Sequence, residues 1–232
     1  MLGLTPGEIT ALGLSLKVSL AAVVFSLPFG IAVAWILARH DFRGKIALDT
    51  LIHLPLVVPP VVVGYLLLIL LGRNGPLGAF LYNALGVTVA FTWKGAAVAS
   101  AVMAFPLMVR AIRLSLETMD RRFEMAAQTL GASHWRIFFT VTLPLTLPGI
   151  LTGTVLAFGR SLGEFGATIT FVANIPGETR TLPLALYTLA QTPGNEWPAA
   201  RMMIISLVLA IAALTISEVM SRRLSRRLGV RS

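Results

Sequence analysis

The chain has 232 residues, 56% of them hydrophobic and 12% charged, with a formal net charge of +9 and no cysteine. That balance excludes a soluble catalytic domain, and the missing cysteine excludes disulfides, thiolate metal sites and thiol chemistry. The basic residues gather at the ends of apolar stretches, which is a pattern of membrane topology and gives no reason to expect a nucleic-acid partner.

A hydrocarbon core ~30 Å thick takes about 20 residues of helix to cross. Five stretches offer that length, at about 9–37, 49–71, 93–112, 147–171 and 202–220. They predict an all-α, polytopic membrane helix bundle forming a single domain over 1–232, with a sixth span only if one long stretch is cut in two. Thr5-Pro6 signals the first helix start, and a charged loop from Arg39 to Lys45, too polar to bury, follows that helix. Glu8 precedes an apolar run too long for a signal peptide, so no cleavable leader is expected.

Span two carries Pro55, Pro59 and Pro60, with Gly64 just beyond. Its hydrogen-bond ladder must break at membrane depth, which suits either a pathway-lining segment or a kink packed against neighbours. Span three begins at Trp93-Lys94, an interfacial anchor, and Lys17 in span one reads as a snorkelling residue. His53 follows Asp49 by one turn, a local contact with no further metal ligands beside it. His40 and His134 are loop residues without companions.

The loop at about 114–138 is unusually ordered. Phe123, Ala126, Ala127 and Leu130 fall at i, i+3, i+4 and i+7, an apolar stripe on a helix whose other side carries Arg121, Arg122, Glu124 and Gln128. Asp120 can cap its start, Gly131 can supply the left-handed residue that stops it, and Ser133 can cap the next helix. Such a knob suits a groove on another protein. The alternative is an amphipathic helix lying on lipid headgroups, against which the small Ala126 and Ala127 argue.

In span four, Arg160 and Glu164 lie one turn apart within a small-residue segment that also holds Ser161 and Phe165. The surface formed by Pro59, Pro60, Arg160, Ser161, Glu164 and Phe165 is the candidate translocation path or dimer seam, the plainer reading of Arg160 and Glu164 being a self-neutralising ion pair. The stretch 181–191 is apolar but too short to cross and reads as a re-entrant or outer gate helix.

Lys and Arg set the orientation. Arg39, Arg43 and Lys45, then Arg110, Arg113, Arg121, Arg122 and Arg136, then Arg222, Arg223, Arg226, Arg227 and Arg231 all fall on one side. The positive-inside rule therefore puts the N-terminus outside, and the knob and C-terminus in the cytoplasm. Catalytic signatures are absent, and Gly44-Lys45 lacks the rest of a phosphate-binding loop, so no enzyme activity and no cofactor are expected of this chain. A secondary transporter would need an inverted repeat or several intramembrane acids, and neither is visible.

Glu124-Met125-Ala126-Ala127, Gly131 and Val141-Thr142-Leu143-Pro144 resemble the "EAA" loop of ABC importer permeases, with Met125 in the strict Glu slot and Glu124 one place earlier. The runs from Gly159 to Thr168 and from Asn174 to Tyr187 are similar to those of the sulfate and molybdate importer permease family, its molybdate members most of all. The resemblance implies a homodimeric pore moving a tetrahedral oxyanion (molybdate, possibly tungstate, with sulfate or thiosulfate as the alternative) by alternating access. It further implies two ATP-binding cassette subunits that bind and hydrolyse the ATP, and an extracytoplasmic molybdate-binding protein. On that resemblance Phe123, Glu124, Met125, Ala126, Ala127, Leu130, Gly131 and Arg136 are the ATPase-coupling residues, in a multi-pass protein of the cytoplasmic (inner) membrane surrounded by lipid.

Overall fold

The computed structural model describes residues 3–227, in which helices carry almost all the order. Helix α1 (Pro6–Arg39) starts at a capping box: Glu8 N–H donates to Thr5 Oγ1 at 3.3 Å and Thr5 N–H to Glu8 Oε2 at 2.7 Å, with Pro6 in the first turn. Helix α5 (Trp93–Thr118) runs parallel to it. At one end of this pair, Lys17 Nζ sits 3.7 Å from the centre of the Trp93 ring. At the other, Arg39 meets Glu124 just beyond the last turn of α5. The chain must therefore return the length of the bundle between them.

It returns in two pieces. Helix α2 (Lys45–Val57) and helix α3 (Pro60–Leu71) are bent by 115° at Val58-Pro59. Two consecutive prolines remove two backbone donors there, and the ladder ends with Val58 N–H on Leu54 O. At 13 and 12 residues the two helices reach only about 20 and 18 Å, so neither crosses alone, and the break expected at the prolines divides the second span into a bent pair. Pro55 sits inside α2 without breaking it.

Helix α4 (Pro76–Leu85) has no counterpart among the expected elements. Gly72, Gly75, Pro76 and Gly78 punctuate that region like a loop, yet Gly78 lets the new helix back onto the Gly72 carbonyl, and Gly86 at φ +66° ends it.

Beyond α5 come α6 (Arg122–Thr129), α7 (His134–Ile137), a π turn (Phe138–Thr142) and α8 (Leu143–Leu162). The continuous helix from His134 to Leu162 has 29 residues, so span four begins well before the expected 147 and stops well before 171. Its early threonines satisfy themselves inside the helix: Thr140 Oγ1 donates to Arg136 O at 2.6 Å and Thr146 Oγ1 to Thr142 O at 2.8 Å. The expected tail of the span is instead a separate helix, α9 (Gly166–Val172), with Phe171 wholly buried. Helix α8 lies antiparallel to α5, where Gly149 faces Ser115, and Gly153 faces Met108 and Ile112.

Helix α10 (Leu182–Ala190) occupies the stretch expected to be a short gate helix. Helix α11 (Glu196–Arg227) runs beside α8 and starts earlier than expected, with Arg201 tied to Glu8 near the α1 start. The side chains from Arg222 to Arg227, and Arg231 altogether, lie outside the described residues. Among the described residues four helices are long and apolar enough to cross a membrane, or five if the bent α2–α3 pair is counted as one span. Two apolar clusters line the α1–α5 seam, one with Val18, Ala96 and Phe171 at the Trp93 end and one with Leu37, Met108 and Ile112 at the α6 end.

Candidate functional site

The knob stands at the end of the bundle that also gathers Arg39, Arg43 and Arg113. Asp120 Oδ1 accepts the Arg122 N–H at 2.9 Å, one residue outside the helix proper, because Arg121 occupies the cap position. Gly131 at φ +79° stops α6, its N–H on Gln128 O at 2.9 Å and the Ala132 N–H on Ala127 O at 3.1 Å. Ser133 Oγ then caps α7 through the Arg136 N–H at 3.4 Å.

The expected apolar stripe divides: Phe123, Ala126 and Leu130 are exposed, Leu130 to 87%, while Ala127 is half-buried. Met125, in the slot the EAA pattern reserves for Glu, is 53% exposed beside them. Phe123, Met125 and Leu130 thus present an apolar surface that no described residue covers, and Arg136 is exposed on the neighbouring turn.

Glu124 turns the other way. Its Oε1 lies 3.1 Å from Arg39 Nη2 and accepts the Thr142 hydroxyl at 2.7 Å. One carboxylate therefore ties the knob both to the end of α1 and to the π turn that begins α8. The Arg39 side chain is only 9% exposed, so the loop judged too charged to bury contains one buried cation, made tolerable by this partner. Nothing local in the sequence marks Arg39, since its partner lies 85 residues away. Two residues on, Asp41 accepts a bond from Lys45, which holds its carboxyl below the usual range.

At the opposite end the seam residues converge. Gly64 on α3 meets Ala167 on α9, and Gly166 meets Pro60, contacts that leave no room for a Cβ. Arg160 Nη1 pairs with Glu164 Oε2 at 2.5 Å. Glu164 is 2% exposed, and its other oxygen caps α9 through the Ala167 N–H at 2.8 Å. The chain break after α8 thus folds around this carboxylate, and the Arg160 charge is met within the chain. Ser161 is buried beside it, Phe165 packs at a tilt of 47° on Tyr187 with 5.0 Å between ring centres, and Pro59 stays exposed.

Arg180 is held in a polar chain: its Nε donates to Asn174 Oδ1 at 2.8 Å, and Asn174 Nδ2 to Thr188 Oγ1 at 2.8 Å. Near the knob, Asp49 Oδ1 accepts Arg113 Nη1 at 3.1 Å and lies 3.2 Å from His53 Nδ1, on the wall of a cavity of about 390 Å3 that Arg110 and Glu117 also line. Among the described residues no three His, Asp or Glu side chains converge as metal ligands would.

Residues 26–228 match the family described as binding-protein-dependent transport system inner membrane component. The chain is 65% identical to the molybdenum transport system permease protein ModB of Escherichia coli K12 over 226 residues, covering 97% of this chain and 99% of that protein. It is 58% identical to the protein of the same name in Haemophilus influenzae over 222 residues, 96% of this chain and 97% of the other. Among solved structures, a bacterial ABC transporter involved in the import of the acidic polysaccharide alginate superposes with a TM-score of 0.74 at 21% identity, covering 95% of this chain and 80% of that one. The last likeness is one of fold.

Proposed function

The chain belongs to the family of binding-protein-dependent transport system inner membrane components, and from that premise we propose that it carries molybdate into the cell as the pore-forming subunit of an ATP-driven importer. It is a multi-pass permease and a transport subunit, not an enzyme. The observation that carries the cargo assignment is the 65% identity, spread over nearly the whole of both chains, to a molybdenum permease.

In this reading two copies form the pore, an extracytoplasmic molybdate-binding protein delivers the ion, and two ATPase chains dock on the exposed Phe123, Met125, Ala126 and Leu130 surface of the knob, with Ala127, Gly131 and Arg136 shaping its edge. The knob end faces the cytoplasm, as the basic residues there favour. ATP binding draws the two ATPases together and moves the knobs. Glu124 passes that displacement to α1 through Arg39 and to α8 through Thr142, and the pore passes from inward-open to outward-open. At the far end the α3–α9 contact and the Arg160–Glu164 pair form one hinged unit along the path or at the dimer seam.

The test is reconstitution of the chain with its ATPase and binding protein in vesicles, measuring ATP-dependent uptake of molybdate, tungstate and sulfate. Molybdate uptake that needs all the components supports the proposal. Sulfate or thiosulfate uptake without molybdate uptake would move the chain to the alternative cargo.

A further inference from the structure

A groove of about 730 Å3 runs along the knob half of α1, between Pro28, Ala32 and Trp35 on one wall and Trp135, Phe138 and Phe139 on the other. Among the described residues His134 is its only titratable lining residue. From Pro28 to Ile36, its first and last lining residues on α1, the helix rises about 12 Å, most of one half of a ~30 Å hydrocarbon core. The groove therefore approaches the depth of one leaflet, and Trp135, which is 74% exposed, and Phe139, which is 59% exposed, leave its side open.

Its rim carries the cation of Arg136, exposed on α7 next to His134, with His40 edge-on to Trp35 at 4.8 Å. The nearby acids are engaged elsewhere: Asp41 by Lys45, and Glu124 by Arg39 and Thr142. Arg136 forms no ion pair among the described residues, so its charge is available to a ligand.

We infer that this groove is a site for an anionic phospholipid, one acyl chain lying between Trp35 and Phe139 and the phosphate held at the His134–Arg136 rim. An apolar slot nearly one leaflet deep beneath a cationic rim matches that ligand in both of its parts. The inference goes beyond the transport reading and needs only that the chain sits in a bilayer.

The test uses the full chain with Trp93→Phe and Trp197→Phe, which leaves Trp35 and Trp135 as the fluorophores. It is reconstituted in vesicles of equal parts phosphatidylglycerol and phosphatidylcholine, with the acyl chains of one lipid or the other brominated. Brominated phosphatidylglycerol should quench the more strongly, with a preference of roughly fivefold, the size expected of one basic residue at an anionic headgroup. Arg136→Gln should bring the preference towards unity, and Ala32→Phe, placed at an exposed position, should fill the slot and abolish it. If Ala32→Phe fails to assemble, Ala32→Leu serves the same purpose. Equal quenching by both lipids overturns the site, as does a preference that survives both substitutions. So does absence of quenching by either lipid, the result expected if a second protein chain covers the groove.

Discussion

Glu124 and Arg39 meet at 3.1 Å across 85 residues of sequence, and through that contact the knob is fixed to the first helix of the bundle. The Arg39 side chain is 9% exposed, and its Nε and Nη1 have no other acceptor. The pair is therefore mutually dependent.

Glu124→Ala should leave Arg39 as an unpaired buried cation, at a cost of about 3 kcal/mol. Because the exposed knob surface is untouched, the ATPase should still bind and hydrolyse ATP. Uptake per ATP should fall severalfold, and the loop should become more sensitive to protease. An unchanged ratio of uptake to hydrolysis would remove Glu124 from the coupling route.

Gly131 has open space around it but a φ of +79°, so a side chain there meets strain and no clash. Gly131→Ala should cost about 1–2 kcal/mol, and Gly131→Asn less, since Asn tolerates that region. ATPase recovered with the purified permease should rank Gly, then Asn, then Ala. Equal recovery for all of them would mean that the end of α6 does not shape the docking surface.

Arg160→Gln leaves the Glu164 carboxylate buried without its cation, a loss of about 3 kcal/mol or more. The double variant Arg160→Gln, Glu164→Gln removes both charges. If the pair is a lock between α8 and α9, the single variant unfolds at lower temperature in detergent and the double variant recovers much of the loss. Should uptake stay low in a double variant of normal stability, Arg160 would be acting on the passing ion.

At Gly64 a methyl group would lie 2.9 Å from both Ala167 Cα and Thr170 Cβ, one of them backbone that cannot step aside. Gly64→Ala should cost about 1–3 kcal/mol and loosen α3 from α9. Gly13→Ala, at a position with nothing within 4 Å, is the control and should be neutral or slightly stabilising. The two are compared by thermal unfolding in the same detergent.

The crossings and the knob were legible because each rests on local patterns: length and apolarity for α1, α5 and α11, and cap residues at fixed offsets for α6. The break at Pro59-Pro60 was legible for the same reason, although its 115° angle was not, since prolines say where donors are missing and not how far the next helix turns. Span four was misplaced because Thr140, Thr142 and Thr146 look polar in a window average, while the Thr140 and Thr146 hydroxyls bond to carbonyls of their own helix and the Thr142 hydroxyl to the Glu124 carboxylate. Helix α4 hid behind its glycines, which serve contact with Gly72 as well as turning. The Arg39–Glu124 link could not be found from sequence, because the two residues are joined only by the fold.

The π turn at Phe138–Thr142 holds one residue more than an α-helix needs. Each residue of an α-helix advances the side chain by about 100°, so a chain one position shorter here would rotate Trp135, Arg136 and the loop before them by that amount about the axis of α8. Thr142 would no longer come round to Glu124, and the same surplus residue thus sets the compass bearing at which α6 leaves the bundle.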